Sequence, residues 1–309
     1  MKFDLIDTDA SRIAASLVRA RRAAGSPAMG MVLTLVVVTD ESHASSAMKA
    51  AAEVSAEHPA RILGVIRRKA AGPIRLDASV RVGQSTSGES VVLRLSGDLV
   101  DHADSVALPL LLPDSPVVLW WPHDAPSPMA DDPLGALAQR RISDSAACRN
   151  KHAALLAQAR QYVAGDTDLA WTRLTPWRGL LAAALDQHPV TVQAAEVRAE
   201  RSNPSADLLV SWLASRLEVA VTRRNSRGPG LTQVRLLTRH GDIAITRPSG
   251  RSAVFSIPGE ADRPVALERR TTAELMAEEL RRLDEDEVYA EAVRTLAEGE
   301  PVSGGRAAR

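Results

Sequence analysis

The chain has 309 residues, which is long enough for one large domain or two of medium size. Lys and Arg together number 38, as do Asp and Glu, so the formal net charge is zero and any charged function must come from a local patch. This balance argues against a nucleic-acid-binding protein and against a membrane-surface protein, since both need an excess of positive charge. Aromatic residues make up only 3% of the chain, so Ala, Leu and Val must form most of the core.

The first half of the chain alternates predicted helices and strands, which is typical of an α/β layer structure. In chain order it predicts a helix that ends near Gly25 and Pro27, a buried central strand over 31–39, a helix over about 42–57, a strand over 61–66, a hairpin of 74–82 and 89–97, a strand over 115–122, a Pro- and Asp-rich loop over 122–133, and a helix over about 150–163 that Gly165 ends. The strand–helix–strand order around 42–57 implies a parallel pair with a right-handed crossover.

The second half predicts a different arrangement. It contains a helix with Thr175 as N-cap and Pro176 at its first position, a strand over 190–199, a capped helix over 203–217, four short alternating runs over 218–224, 232–239, 242–247 and 252–257, and two final helices with capping-box spacings at Thr271/Glu274 and Asp284/Glu287. Turn residues separate the four alternating runs, so we expect an antiparallel meander.

These elements predict two domains. We expect an N-terminal α/β domain with a mixed sheet over residues 1–164, and a C-terminal α+β domain over residues 165–300 with an antiparallel meander and terminal helices. Residues 301–309 are expected to form a disordered tail.

No local motif points to catalysis. The stretch 83–90 has the glycine spacing of a phosphate-binding loop, but Glu89 stands where that loop needs lysine and a strand follows instead of a helix, so we interpret it as a hairpin loop. There is no dinucleotide fingerprint and no nucleophile elbow, and no two of the seven histidines lie three to five residues apart. We therefore expect no catalytic residue, no metal site and no cofactor, with a cluster formed in three dimensions left open.

Cysteine usage and hydropathy bear on the compartment. The single cysteine, Cys148, excludes an intramolecular disulfide, and we expect it to be a small buried side chain. The acidic N-terminus lacks the apolar segment of a signal peptide, and the longest apolar run, 31–38, is too short to cross a bilayer. We expect a cytoplasmic protein.

Charge is uneven in the second half. Between Arg223 and Arg251 there are seven Arg and one acid, Asp242, whereas residues 272–300 contain ten acidic residues and three Arg. One interpretation is that the acidic helices lie across the basic meander and neutralise it. The other is an exposed arginine face that binds a phosphorylated ligand or an acidic partner.

Scarce aromatic residues stand beside cations in the stretch LAWTRLTPWRGLLAAAL, residues 169–185. Arg178 falls in the first turn of a predicted helix, where the helix dipole disfavours a cation, so an anion nearby would offset the cost. Trp and Arg are also the residue types most enriched at interface hot spots. Alternatively Trp177 is a core residue, because it shares a helical stripe with Leu181 and Leu185.

The same stretch closely resembles the second domain of the glucose-6-phosphate dehydrogenase assembly protein family, OpcA. The runs LLPDSPVVLWWP (111–122) and RRISDSA (140–146) resemble the first domain of that family, and the likeness extends from about residue 1 to 297. The resemblance implies a non-catalytic cytoplasmic protein that binds glucose-6-phosphate dehydrogenase in the oxidative pentose phosphate pathway and promotes its active oligomer or raises its activity. Photosynthetic relatives are linked to redox control through cysteines, a switch that a single Cys148 puts in doubt.

We predict that contacts to the partner or to a ligand involve eight residues: Trp120, Trp121, Arg141, Asp144, Trp171, Arg173, Trp177 and Arg178. No nucleic acid and no membrane are expected as partners. The alternative function is a sugar-phosphate-binding domain or an enzyme that uses the arginine-rich face.

Overall fold

The computed structural model describes residues 1–24, 30–68, 72–83 and 88–299. The predicted helix end at Gly25 and Pro27, the loop at 84–87 and the tail at 301–309 lie outside these ranges. Internal contacts divide the chain into two units. Unit 1 comprises Met1–Asp144, Gly165–Thr167 and Thr271–Glu285, and unit 2 comprises Ser145–Ala164, Asp168–Arg270 and the chain from Asp286 on. The division into independent domains at residues 164 and 165 stays a prediction, because by contacts the two units alternate along the chain.

The helices and strands have the following bounds. The strands are β1 (Lys2–Leu5), β2 (Leu33–Thr39), β3 (Ala60–Arg67), β4 (Arg75–Val82), β5 (Glu89–Ser96), β6 (Val117–Trp120), β7 (Arg140–Ser143), β8 (Asp166–Asp168), β9 (Val192–Ala199), β10 (Ala220–Asn225), β11 (Leu231–Thr238), β12 (Gly241–Thr246), β13 (Ser252–Ser256) and β14 (Arg263–Ala266). The α-helices are α1 (Ala10–Ala24), α2 (Ala44–Val54), α3 (Ala103–Ala107), α4 (Lys151–Arg160), α5 (Leu169–Thr172), α6 (Thr175–Gln187), α7 (Pro204–Leu217), α8 (Thr272–Leu280) and α9 (Glu287–Glu298).

The centre of the unit 1 sheet is β2, whose seven residues are all buried. The strand order is β1-β4-β5-β3-β2-β6-β7-β8, and β2 pairs in parallel with both β3 and β6. The chain leaves β2 through α2 to β3 on one side, and it returns later to β6 on the other side. Winding therefore reverses direction at β2, which makes the gap beyond its carboxyl end the topological switch point of the sheet.

The rest of this sheet is mixed, as predicted. β4 pairs antiparallel with β5, which confirms the predicted hairpin, and β1 pairs antiparallel with β4. The short strands β1, β7 and β8 were not predicted, because three or four residues are too few to show an alternating pattern.

Glu89, which stands where a phosphate-binding loop would have its lysine, carries a buried carboxylate. Glu89 begins β5 and is 4% exposed. It accepts hydrogen bonds from the guanidinium groups of Arg21 and Arg61, with Arg61 Nε 3.0 Å from its Oε2. Arg61 Nη1 also donates to the carbonyl of Leu110 at 2.7 Å. Glu89 thus links β5 to α1 and β3, which is a structural role.

The sheet of unit 2 departs from the prediction in one strand. Its order is β10-β9-β11-β12-β13-β14, and β11 to β14 form an antiparallel meander. The predicted first meander strand, β10, instead lies at the edge and pairs in parallel with β9. The reason is that α7 joins β9 to β10, and a strand–helix–strand crossover yields parallel neighbours. β14 fills the fourth place in the meander.

Two of the predicted helix caps shift by one or two residues. α6 has Leu174 at its N-cap, so Thr175 is its first residue and not its cap. α9 is capped by Asp286, whose Oδ1 accepts from the backbone N–H groups of Val288 and Tyr289 at 3.0 and 2.9 Å, and not by Asp284. The capping box of Thr271 and Glu274 at the start of α8 is confirmed. No helix within the described ranges combines the length and apolar character needed to cross a bilayer.

Glu89→Gln tests the buried ion cluster. The substitution leaves two guanidinium groups facing a neutral amide, so we expect the free energy of unfolding to fall by about 3–5 kcal/mol. Urea denaturation measures it. Glu53→Gln is the matched control, because Glu53 is 53% exposed and its ion pair with Lys49 is 3.8 Å long. Such a pair contributes about 0–1 kcal/mol. Equal stability losses in the two variants would contradict the role given to Glu89.

Candidate functional site

Polar side chains follow two neighbouring strands of unit 1, at the point where each strand ends. β2 ends at Thr39 and Asp40 comes next, whereas β6 ends at Trp120 and His123 lies three residues on. The two strands are parallel and paired in register, Val37 opposite Trp120, so both loops emerge at the same edge of the sheet. We call this the carboxyl edge; open α/β sheets bind ligands at this edge, next to the switch point.

Two histidine rings converge there on one carboxylate. His43 is the N-cap residue of α2, and its Nδ1 lies 2.9 Å from Oδ1 and 3.0 Å from Oδ2 of Asp40. His123 Nε2 approaches Oδ2 of the same carboxylate at 3.2 Å. The two ring centroids are 4.0 Å apart with the planes tilted by 46°. Among the described residues, this is the group of three that could hold a metal ion, with one ligand atom from each residue and all three atoms within 4.8 Å of one another. We refer to Asp40, His43 and His123 as the His–Asp cluster.

The carboxylate of this cluster is held in its ionised form. Burial alone would raise the pKa of Asp40, but hydrogen bonds from Ser42, His43 and His123 outweigh it and hold the pKa well below its ordinary value. Asp40 is therefore an anion at any pH at which the protein is expected to work.

The contacts of Ser42 do not make a nucleophilic triad. Its Oγ lies 2.6 Å from Asp40 Oδ1 and 3.0 Å from His43 Nδ1. Ser42 and Asp40 thus meet the same ring nitrogen, whereas a Ser–His–Asp relay needs the serine on one nitrogen and the carboxylate on the other. The cluster instead offers three possible metal ligands, which are two imidazole nitrogens and one carboxylate oxygen.

An ion cluster lies next in sequence to Asp40. Glu41 accepts hydrogen bonds from Arg68 Nε at 3.0 Å and from Arg94 Nε at 3.1 Å. Burial opposes ionisation of Glu41, but these two hydrogen bonds lower its pKa below the ordinary value. Both guanidinium groups are therefore engaged by Glu41.

The His–Asp cluster gives no signal in the spacing of the histidines alone, and for this reason it was not predicted. Asp40 and His43 are three residues apart, a spacing that places both on one turn, so a search that included carboxylates would have found this pair. No sequence pattern connects them with His123, 80 residues further on. Only the parallel pairing of β2 with β6 brings the two loops together.

The predicted contact residues of unit 1 lie in its interior. Trp120 and Trp121 are 1% and 2% exposed, and Arg141 and Asp144 are 6% and 4% exposed. Arg141 donates from Nε to Asp166 and from Nη1 to the carbonyl of Ala138 at 2.9 Å. Because all four side chains are buried, they do not form an exposed surface together with the His–Asp cluster.

In unit 2, Trp171 is buried and contacts three polar side chains. It is 1% exposed, and its indole N–H donates to Asp286 Oδ2 at 2.8 Å. Its ring lies 5.7 Å from that of Tyr289, and the guanidinium carbon of Arg178 lies 3.7 Å from its centroid. The aromatic face beneath Arg178 thus offsets part of the dipole cost that the sequence analysis noted.

Trp177 is a core residue, as the second interpretation proposed. It is 1% exposed and packs in one cluster with Leu181, against which Leu185 is partly buried. Arg247 lies over its ring at 4.9 Å and donates to the carbonyls of Leu267 and Leu231 at 2.9 and 3.0 Å. Burial, followed by the charge of Arg269, lowers the pKa of Arg247 to about 10. Arg173 is partly exposed, as is Arg178, and the contact role of all eight residues stays a prediction.

Three of the seven arginines between Arg223 and Arg251 pair with acidic groups that do not belong to the terminal helices. Arg223 pairs with Asp207 at 2.7 Å, Arg224 with Glu196, and Arg235 with Asp242. α9 packs against α7 and α4 in unit 2, and α8 packs against α2 in unit 1. The first interpretation is therefore wrong about these pairs, because their acids lie on β9, α7 and β12 and not on the terminal helices.

Comparison with known proteins adds family membership to this geometry. The family model described as the glucose-6-phosphate dehydrogenase subunit N-terminal domain matches residues 51–160, and the C-terminal domain of the same subunit matches residues 164–293. A curated protein of Synechocystis sp., named "Putative OxPP cycle protein OpcA", is 31% identical over 142 residues, which cover 42% of this chain and 29% of that protein. The chain thus aligns with less than a third of the length of this relative.

Similarity to solved structures is weak. A 3-ketoreductase variant from Actinomadura kijaniata, in complex with TDP-benzene and NADP, is 10% identical with a TM-score of 0.48, covering 86% of this chain and 95% of that one. An oxidoreductase from Sinorhizobium meliloti is 9% identical with a TM-score of 0.41, covering 85% and 87%. Neither likeness is close enough to carry a conclusion.

The two subunit domains, matched one after the other over most of the sequence, show that this chain belongs to the OpcA family of glucose-6-phosphate dehydrogenase assembly proteins.

Proposed function

We propose that this chain is a non-catalytic assembly factor and allosteric activator of glucose-6-phosphate dehydrogenase. It acts in the cytoplasm, in the oxidative pentose phosphate pathway, and promotes the active oligomer of the enzyme without nucleic acid or membrane. The observation that carries the proposal is the match of both domains of the dehydrogenase subunit family to consecutive parts of the chain. The name of the Synechocystis relative as an OxPP cycle protein supports the same pathway.

Activation without chemistry needs a difference in affinity. The chain must bind the active state of the dehydrogenase more tightly than the inactive one, and the difference in binding free energy sets the population of the active state. A differential of about 1–3 kcal/mol changes an apparent affinity about 5- to 150-fold. This effect requires no reacting group on the chain.

We propose that the predicted contact residues divide this task. The side chains of Trp120, Trp121, Trp171, Trp177, Arg141 and Asp144 are buried and contribute to the packing of their own units. Arg173 and Arg178 are partly exposed, at the end of α5 and in the first turn of α6. We propose that these two guanidinium groups meet carboxylates of the dehydrogenase, because Arg binds carboxylates in a planar, bidentate manner.

Titration of the purified chain into the dehydrogenase of the same organism tests the proposal. We expect turnover or substrate affinity to rise with a saturable dependence on the added chain, and the oligomer to grow larger by light scattering. The titration is run at several concentrations of glucose 6-phosphate, because a ligand that favours the same state must reduce the remaining effect. Unchanged turnover, substrate response and oligomer size would refute the proposal.

Calorimetry of the isolated chain distinguishes the alternative function, sugar-phosphate binding, from the proposed role as an activator. A sugar-phosphate-binding domain or enzyme would bind glucose 6-phosphate, 6-phosphogluconolactone or NADP at micromolar concentration without any partner. The pairing of Arg223, Arg224 and Arg235 with acidic groups leads us to expect no such binding.

Substitutions in the 169–185 stretch separate a contact role from a structural one. Arg173→Ala is expected to weaken activation about 5-fold or more, since a charged interface contact contributes about 1 kcal/mol or more. Its melting temperature should change less than that of Trp171→Phe, which loses the buried hydrogen bond to Asp286 and about 1–3 kcal/mol of stability. Arg239→Ala, at an exposed position between β11 and β12, is the matched control. If Arg173→Ala activates the dehydrogenase as well as Arg239→Ala does, Arg173 makes no contact.

A further inference from the structure

We propose that the His–Asp cluster at the carboxyl edge of unit 1 binds one divalent transition-metal ion, with zinc as the best match. The ligands are Nδ1 of His43, Nε2 of His123 and one carboxylate oxygen of Asp40. This inference rests on the geometry of the cluster and is independent of the proposed function.

The donor set matches the chemistry of zinc. Imidazole nitrogen and carboxylate oxygen bind Zn²⁺ at about 2.0–2.2 Å, so two donors at tetrahedral positions lie about 3.3 Å apart. The distances from Asp40 Oδ2 to His43 Nδ1 and His123 Nε2 are 3.0 and 3.2 Å, close to that separation. Mg²⁺ and Ca²⁺ prefer oxygen ligands, and two imidazoles among three donors disfavour them.

The position of the three residues favours a preformed site. Asp40 follows the fully buried strand β2, and His43 is fixed by its place at the start of α2. The His43 backbone N–H donates to Asp40 Oδ1 at 2.9 Å, which orients the carboxylate. The His123 side chain is 12% exposed, whereas those of Asp40 and His43 are 46% and 54% exposed. One side of the cluster thus faces solvent, which leaves room for water or an external ligand on the metal.

The same contacts can also form without a metal. Each ring then carries a proton on the nitrogen that faces Asp40, either as the neutral Nδ1–H tautomer of His43 and Nε2–H tautomer of His123 or as an imidazolium with both nitrogens protonated. A metal ion uses the same three atoms with both of these nitrogens deprotonated. The neighbouring guanidinium groups of Arg68 and Arg94 are engaged by Glu41. In the contacts described, Arg68 and Arg94 bind Glu41 and do not bind Asp40.

Metal binding by the full chain tests the proposal. The tag-free protein is treated with a chelator, titrated with zinc by calorimetry, and analysed for bound metal after gel filtration. We expect one zinc per chain, and His43→Asn and Asp40→Asn should each weaken binding at least tenfold, because changes to outer-shell partners alone cost 10- to 100-fold. His152→Asn is the matched control: His152 forms a histidine–carboxylate pair with Asp207 at 3.1 Å, but no third ligand is available within the described residues.

The outcomes that overturn the proposal are equally specific. Wild-type protein that takes up no zinc would show that the cluster is held by hydrogen bonds only. Equal zinc binding by all four proteins would show an adventitious site elsewhere. His43 is half exposed, so His43→Asn is expected to melt like the wild type, which separates loss of the ligand from loss of the fold. Cobalt in place of zinc should give a spectrum without the thiolate charge-transfer band that binding through Cys148 would produce.

Discussion

The arrangement of unit 1 depends on the parallel pairing of β2 with strands on both of its sides. A strand buried on both faces must be predominantly apolar, and β2 meets this condition with five Leu or Val residues and two Thr. Because β3 and β6 run in the same direction as β2, their carboxyl ends share one edge. Polar residues that would otherwise be distant, Asp40 and His123, are therefore neighbours, and this single constraint creates the His–Asp cluster.

Buried charges and indoles give the rest of the chain its fixed geometry. Glu89 joins two arginines inside unit 1, and Trp171 and Trp177 each carry a guanidinium group on their ring face in unit 2. A protein with few aromatic residues thus places them where they bury the most surface and also hold a cation. Residue types that are enriched at interfaces are equally suited to such interiors, so composition alone does not distinguish the two uses.

This distinction bears on the role of allosteric activator that we propose for the chain. A protein that alters an enzyme by binding needs a surface whose shape is set before contact, because flexible groups lose binding free energy when they become ordered. In unit 2 the guanidinium groups of Arg178 and Arg247 lie over the buried rings of Trp171 and Trp177, and these pairs belong to the packing of that unit. The His–Asp cluster belongs to unit 1 and uses a different chemistry, so the two can be altered independently by substitution.

The sequence by itself determined the α/β character, most strands and helices, the family, and the absence of a phosphate-binding loop at 83–90. These features depend on local pattern: periodic apolar positions, capping residues, and a glutamate in place of lysine. The tertiary structure decided the placement of β10 beside β9, the burial of Trp120, Trp121 and Trp171, and the meeting of His123 with Asp40. Each of these depends on which strands become neighbours and on which face a side chain lies, and neither property is encoded in the spacing of residues along a chain.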